Sequence, residues 1–433
     1  MGVPAHQATT RHLGAAYPFA SEAGLGGRGV LIGRDLLGGA FVYDPFELYN
    51  AGALTNPNMV VFGQIGRGKS AFVKTYLWRQ AVFGRRAWVV DPKGEYAPLA
   101  RAWGIEPVAL RPGSRVRLNP LDAPPGGPGS SADEVTRRRA ELLSSLAAAS
   151  LGRSLTAIER TAIELAVADV SGDGSHRNGG RDAPTLPEVV DALLVPSDES
   201  ARAVHTTSDA LAADGRPVAL ELRRLVAGDL RGMFDGATSP GISLNGPLVV
   251  LDLSAVYHSA ALGVLMTCAA AWFQAAVAGL ATPDDDRSSS GVVVVVDEAW
   301  AILANLGVAR WLQSSWKLSR AWGVSNVAVL HRLSDLTSAG ASGSEQVGLA
   351  QGLLADSETR VIYAQSPGEV ERAGELLGLS STETELVPHL RRGVALWKVG
   401  GRSFLVQHRL SALEAPIVDT DARMAGAGTT GPG

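Results

Sequence analysis

The chain has one cysteine, Cys268, in 433 residues, and only five lysines against thirty-four arginines. A single thiol in an apolar stretch excludes an internal disulfide and suits a reducing compartment. Residues 1–17 have no apolar core, so no secretory signal is read there and a cytoplasmic location is expected. Charge is sparse too: 19% of residues, a net −4 and a pI near 6.1 give no bulk attraction for nucleic acid. Polynucleotide contact would need a local patch such as Arg137-Arg138-Arg139, Arg223-Arg224 or Arg391-Arg392, none interleaved with the aromatics that stack bases. Residues 253–283 carry no Asp, Glu, Lys or Arg and are long enough to span a bilayer. Their many alanines, His258, Gln274 and a preceding strand predict a buried helix instead.

What is present is a globular chain, 46% apolar, with core enough for two or three domains. The scarcity of lysine makes one place stand out: Gly63-Gln64-Ile65-Gly66-Arg67-Gly68-Lys69-Ser70, which fits the phosphate-loop pattern. A short apolar strand, residues 59–62, precedes it, and residues 70–83 keep apolar side chains at helical spacing until Gly84. Backbone N–H groups from Gly63 to Ala71 would then surround a phosphate at a helix N-terminus. Lys69 would reach the β- and γ-oxygens of ATP, and the Ser70 hydroxyl would hold Mg2+.

Such a site needs a second acidic element, and Val292–Val296 ending in Asp297-Glu298 supplies it. Five β-branched residues in a row, apolar on both faces, predict a central parallel strand. Asp297 at its end would hold the Mg2+ ion, and Glu298 would orient and deprotonate the attacking water, an acid pair suited to hydrolysis. No other metal is expected. Lys93 and Glu95 follow another predicted strand, 87–90, at the carboxyl edge where open α/β sheets bind ligands.

The fold class expected is therefore α/β: a RecA-like phosphate-loop core with a mostly parallel sheet, an inserted all-helical subdomain and peripheral β-hairpins. The predicted organisation is a loose amino terminus at 1–25, a first part of the core at 26–122, a helical insertion at 123–240, a second part of the core at 241–413 and a disordered tail at 414–433. The insertion accounts for the 228 positions between Lys69 and Asp297. Within it helices are expected at 134–151, 155–170, 186–194, 197–213 and 217–230, with an exposed polar loop at 171–184.

Taken together, GQIGRGKS, VVDPKGEY, the helical insertion, VVVVVDEAW, VLHRLSDL and ETRVIYAQ resemble the TraC-type ATPases of conjugative type IV secretion systems, within the FtsK and HerA superfamily of ring motors. The resemblance runs from about residue 30 to 413, the ATPase portion; the long amino-terminal domain usual in the family is not part of it. It implies an ATP-hydrolysing motor in a homo-oligomeric, hexameric ring. Its implied partners are inner-membrane components of a secretion channel and DNA or a relaxase–DNA complex. It also implies that Arg360 reaches a neighbouring subunit's nucleotide, with Arg332 as the rival, and that Lys93 and Glu95 line the site. The superfamily's γ-phosphate-sensing Gln is replaced here by His331. A DNA-pumping translocase and a non-hydrolysing nucleotide-binding scaffold are the alternative readings.

Overall fold

The computed structural model describes residues 24–122, 132–177, 183–228, 231–240, 242, 246–259, 262–280, 291–303, 309, 312–313, 316–317, 319–320, 323–332 and 345–418. The expectations for residues 1–23, 123–131, 178–182, 281–290 and 419–433 lie outside them. One eleven-stranded sheet organises the molecule, in the order β2-β1-β11-β10-β9-β3-β8-β7-β4-β6-β5. Its strands are β1 Val30–Asp35, β2 Ala40–Tyr43, β3 Met59–Phe62, β4 Arg86–Asp91, β5 Val108–Ala109, β6 Leu248–Asp252, β7 Val292–Val296, β8 Val324–Leu330, β9 Thr359–Tyr363, β10 Val394–Val399 and β11 Arg402–His408. From β9 to β5 every pairing is parallel. The two hairpins extend the same sheet antiparallel from its β9 side.

Both faces of the parallel part are covered, which is why its strands read as unbroken apolar runs. In β7 every valine is at most 5% exposed: Val293 and Val295 join the core on one face, and Val292, Val294 and Val296 join the core on the other. The first face receives α2 (Lys69–Gln80), which follows α1 (Pro45–Asn50), and it packs Phe72, Val73, Tyr76 and Leu77. The second receives α9, Leu262–Leu280, through Leu265, Trp272 and Phe273. Among the described residues no helix is long and apolar enough to cross a membrane.

After α3 (Ala97–Ala102), the segment between β5 and β6 holds only helices among the described residues: α4 Ala132–Leu151, α5 Ala157–Arg177, α6 Leu186–Leu194, α7 Asp198–Ala203 and α8 Ser208–Ala227. Leu143, Leu146, Ile163, Val190 and Leu222 belong to the same buried cluster as Trp88 and Trp272, so the helical block shares its core with one face of the sheet. Three boundaries differ from the sequence reading. Helix α5 runs on through Ser171 to Arg177, into the stretch expected as a loop. The helix expected at 197–213 breaks at His205, whose φ is 55°, and restarts where the Thr207 hydroxyl caps Ala210 N–H. Pro217, expected to open a helix, lies inside α8. It removes one helical hydrogen bond there, but buried Leu211, Val218, Ala219, Leu222 and Leu225 hold the helix on its neighbours.

Candidate functional site

The parallel strands deliver their loops to one edge of the sheet. β3 leads into the phosphate loop, β8 beside it leads into His331, β7 leads into Asp297 and β4 leads into residues 91–96. Strand β8 thus separates the phosphate-loop strand from the acidic one, and the side chain just after it, His331, spans the gap.

The phosphate loop has the backbone that its sequence demands. Gly66 and Gly68 take φ of 77° and 110°, the left-handed region that side chains avoid. At Gly63 a Cβ would sit 2.5 Å from the Tyr363 Cβ on β9. Ile65 is 80% exposed at the loop tip, whereas Lys69 is 4% exposed. Ser70 and Ala71 stand half-buried in the first turn of α2. The loop is braced by Gln64 N–H on the Ala364 carbonyl (3.2 Å) and by Gly393 N–H on the Arg67 carbonyl (3.0 Å). Lys69 Nζ donates to the carbonyls of Gly63 and Gln64 and lies 3.1 Å from His331 Nδ1.

The acidic element meets the same imidazole from the other side. His331 Nε2 lies 2.5 Å from Glu298 Oε1 and 3.3 Å from Lys93 Nζ, and Lys93 forms an ion pair with that same carboxylate oxygen. A neutral ring that accepts from Lys69 at Nδ1 and donates from Nε2 to Glu298 satisfies both partners. Trp300 Nε1 donates to Glu298 Oε2. Glu298 is 2% exposed with φ 53°, a left-handed conformation that β-strand exits rarely impose on a non-glycine. Burial pushes its carboxyl up, but the bonds from His331 and Lys93 outweigh that and hold it at about 2. Asp297 is moved the other way, upward, by burial and by the adjacent Glu298 charge. Its Oδ1 accepts Glu298 N–H (2.9 Å) and its Oδ2 accepts the Tyr96 hydroxyl (3.1 Å).

Residues 91–96 tie the two motifs together. Asp91 accepts the N–H groups of Lys93 (3.2 Å), Gly94 (2.8 Å) and Tyr96 (2.8 Å), fixing the loop, while burial pushes its carboxyl up to about 7. Lys93 faces Glu298. Glu95 pairs with Lys74 on α2, 3.9 Å away, joining the loop to the phosphate-loop helix, and its charge acts on Lys69 and Asp297. This cluster fits a magnesium nucleotide: a glycine cradle, a buried lysine, a hydroxyl in the first helical turn and a buried carboxylate on a neighbouring strand.

Arg360 is elsewhere. It projects from β9 beside Val60 of β3, on the sheet face opposite α2, and donates to the carbonyl oxygens of Leu354 and Leu377, both at 2.9 Å. Its half-buried guanidinium is held by two carbonyls of its own chain, so the reach to another subunit's nucleotide that the resemblance implies would require it to exchange those bonds. Arg332 stands exposed beside His331. Of the basic runs, Arg137 and Arg138 pair with Glu134 and Arg139 donates to the Leu121 carbonyl. Arg224 pairs with Glu221. Arg391 and Arg392 are exposed just before Gly393, against the phosphate loop.

Sequence reading missed Tyr96, Trp300, Tyr363 and Gln365, whose amide donates to the His331 carbonyl at 3.1 Å. Tyr96 and Trp300 lie within the quoted motifs, but nothing in the sequence ties them to Asp297 and Glu298. Tyr363 and Gln365 act through the pairing of β9 with β3, which no local pattern encodes.

Burial pulls Lys69 down to about 8, partly offset by Asp297 and Glu298. Bound phosphate favours its charged form, so the sign is fixed. Nucleotide affinity should be flat below pH 8 and weaken as pH rises past it, by up to about tenfold per unit until the bound lysine titrates. Calorimetric titration with ADP from pH 7 to 9.5 checks this; equal affinity at both ends would contradict it.

No family model and no curated protein matches the chain. Solved structures do. VirB4 of Thermoanaerobacter pseudethanolicus aligns over 91% of this chain and 100% of its own at 21% identity, with a TM-score of 0.69. The plasmid coupling protein TrwB aligns over 82% of this chain and 85% of its own at 16% identity and a TM-score of 0.56, in complex with the ATP analogue ADPNP. TrwB in complex with ADP and Mg2+ aligns over 83% and 87% at 15% identity and a TM-score of 0.55. The chain therefore folds as VirB4 and the TrwB coupling protein do.

Proposed function

We propose that the protein is an ATP-hydrolysing motor of a conjugative type IV secretion apparatus, driving channel assembly or substrate transfer. The observation that carries the reading is the single cluster Lys69–His331–Glu298–Lys93, with Asp297 beside it, at the strand edge of a VirB4-like fold. TrwB in complex with ADPNP, and with ADP and Mg2+, supports ATP and Mg2+ as the ligands here.

Each residue has a task set by its chemistry. The loop glycines present N–H groups to phosphate oxygens, and Lys69 adds the charge that favours a triphosphate. Ser70 and Asp297 would hold Mg2+, which when bound neutralises phosphate charge and helps the bridging oxygen leave. Glu298 takes the proton from the attacking water, and His331 carries contact between Lys69 and Glu298 across β8. The protein works as a homo-oligomer, a ring of six, with Arg360 as the arginine offered to a neighbour and Arg332 as its rival. Its partners are inner-membrane channel components and DNA or a relaxase–DNA complex, and its place is the inner face of the cell membrane. The proposed unit boundaries are a core at 26–122 and 241–413 with the helical block at 123–240 between.

Deleting the gene in its host and measuring plasmid transfer tests this reading. Transfer should fall to background and return with the wild-type gene but not with Lys69→Ala. Undiminished transfer, together with ATPase activity stimulated by DNA and steeply salt-dependent, would overturn it in favour of a chromosomal DNA pump.

A further inference from the structure

Two side chains suited to an incoming phosphate converge on a carboxylate instead, and a third stands behind one of them. Lys93 and His331 both meet Glu298 Oε1, and His331 in turn meets Lys69. A carboxylate engaged by two donors at one oxygen and by Trp300 at the other has little capacity left to orient and deprotonate water. Lys93 is well suited to let go. Its backbone is pinned by Asp91, while its four-carbon stem can re-aim the ammonium without moving the loop.

We propose that Lys93 is a positioning residue that latches Glu298 in the resting site, and that a nucleoside triphosphate, but not a diphosphate, releases it. The inference rests on the ATPase reading above and specifies how that site tells its substrate from its product. The terminal phosphate offers Lys93 and His331 oxygens carrying more charge than a single carboxylate, so both donors re-pair with it. Glu298 is freed for water only when the bond to be cleaved is present. ADP lacks that phosphate, and the latch stays closed.

Trp300 reports the state of the latch through its bond to Glu298. Intrinsic fluorescence of the full chain is measured with Mg2+ and either ADP or the slowly hydrolysed analogue ATPγS, and the Trp300→Phe variant isolates the Trp300 contribution. ATPγS should change that contribution and ADP should not. In Lys93→Met the ATPγS-specific change should vanish and the preference for ATPγS over ADP should fall about tenfold, with ADP binding as before. Lys93→Arg, which keeps charge and donors, should restore part of both. An equal change with ADP, or an undiminished ATPγS-specific change in Lys93→Met, would overturn the latch while leaving the ATPase reading intact. Calorimetry that finds neither nucleotide bound by the wild type would overturn that reading and the latch with it.

Discussion

Glu298→Gln should bind ATP at least as tightly as the wild type and hydrolyse it slower by about 10²- to 10⁴-fold, the range typical of losing a positioned general base. The amide keeps the shape of the carboxylate and can still accept from Trp300, but it cannot take a proton from water and no longer pairs with Lys93. Lys69→Ala should fail differently. Losing that buried ammonium removes the charge facing the β- and γ-phosphates, so binding itself should weaken, and turnover falls because the site is seldom filled. The pair is diagnostic because the two residues meet through one imidazole, with His331 Nδ1 3.1 Å from Lys69 and Nε2 2.5 Å from Glu298. Equilibrium binding and single-turnover hydrolysis on both variants separate the two effects. Wild-type turnover in Glu298→Gln would remove Glu298 from the role of base.

The second large effect is expected at Arg360, and it is one of stability. Replacing Arg360 by Ala strips the donors from the Leu354 and Leu377 carbonyls beneath β9. The Leu354 carbonyl keeps the Ser357 N–H, but a buried Leu377 carbonyl left without a partner costs about 1–3 kcal/mol, so the unfolding transition should move to lower temperature or denaturant concentration. Mixing Arg360→Ala with Lys69→Ala separates this role from the one implied by resemblance. A trans-acting arginine would let a mixed ring regain activity, since one subunit's intact arginine would face the other's intact loop. If Arg360 serves only its own chain, the mixture stays inactive while Arg360→Ala alone is destabilised. A variant of unchanged stability, about 10³-fold slower and rescued by mixing, would establish the finger.

The two cases mark where the sequence was legible. The phosphate loop and the valine strand are local patterns, each set by chemistry that acts over a few residues: glycines for positive φ, β-branched runs for a strand buried on both faces. The terminal hairpin was legible for the same reason, and Gly400, at φ 56°, sits in its two-residue turn. The role of Arg360 was not legible, because the carbonyls that hold it are 6 and 17 residues away and meet it only after β9 has packed. Nor was the Lys93–Glu298 pair, whose partners are 205 positions apart and come together only because β4 and β7 are parallel neighbours. Helix ends in the insertion were misplaced where capping and packing outvoted a breaker, as at Thr207 and Pro217.

The central claim is that the phosphate loop and the Asp297–Glu298 strand end form one magnesium-dependent hydrolytic site. Steady-state phosphate release from ATP by the purified chain, with Mg2+ and with the ion chelated, tests it most directly when Lys69→Ala is run alongside. Release should need Mg2+ and be absent from the variant. Release equal in wild type and Lys69→Ala, or none from a wild type that binds ATP at concentrations where it self-associates, would contradict it.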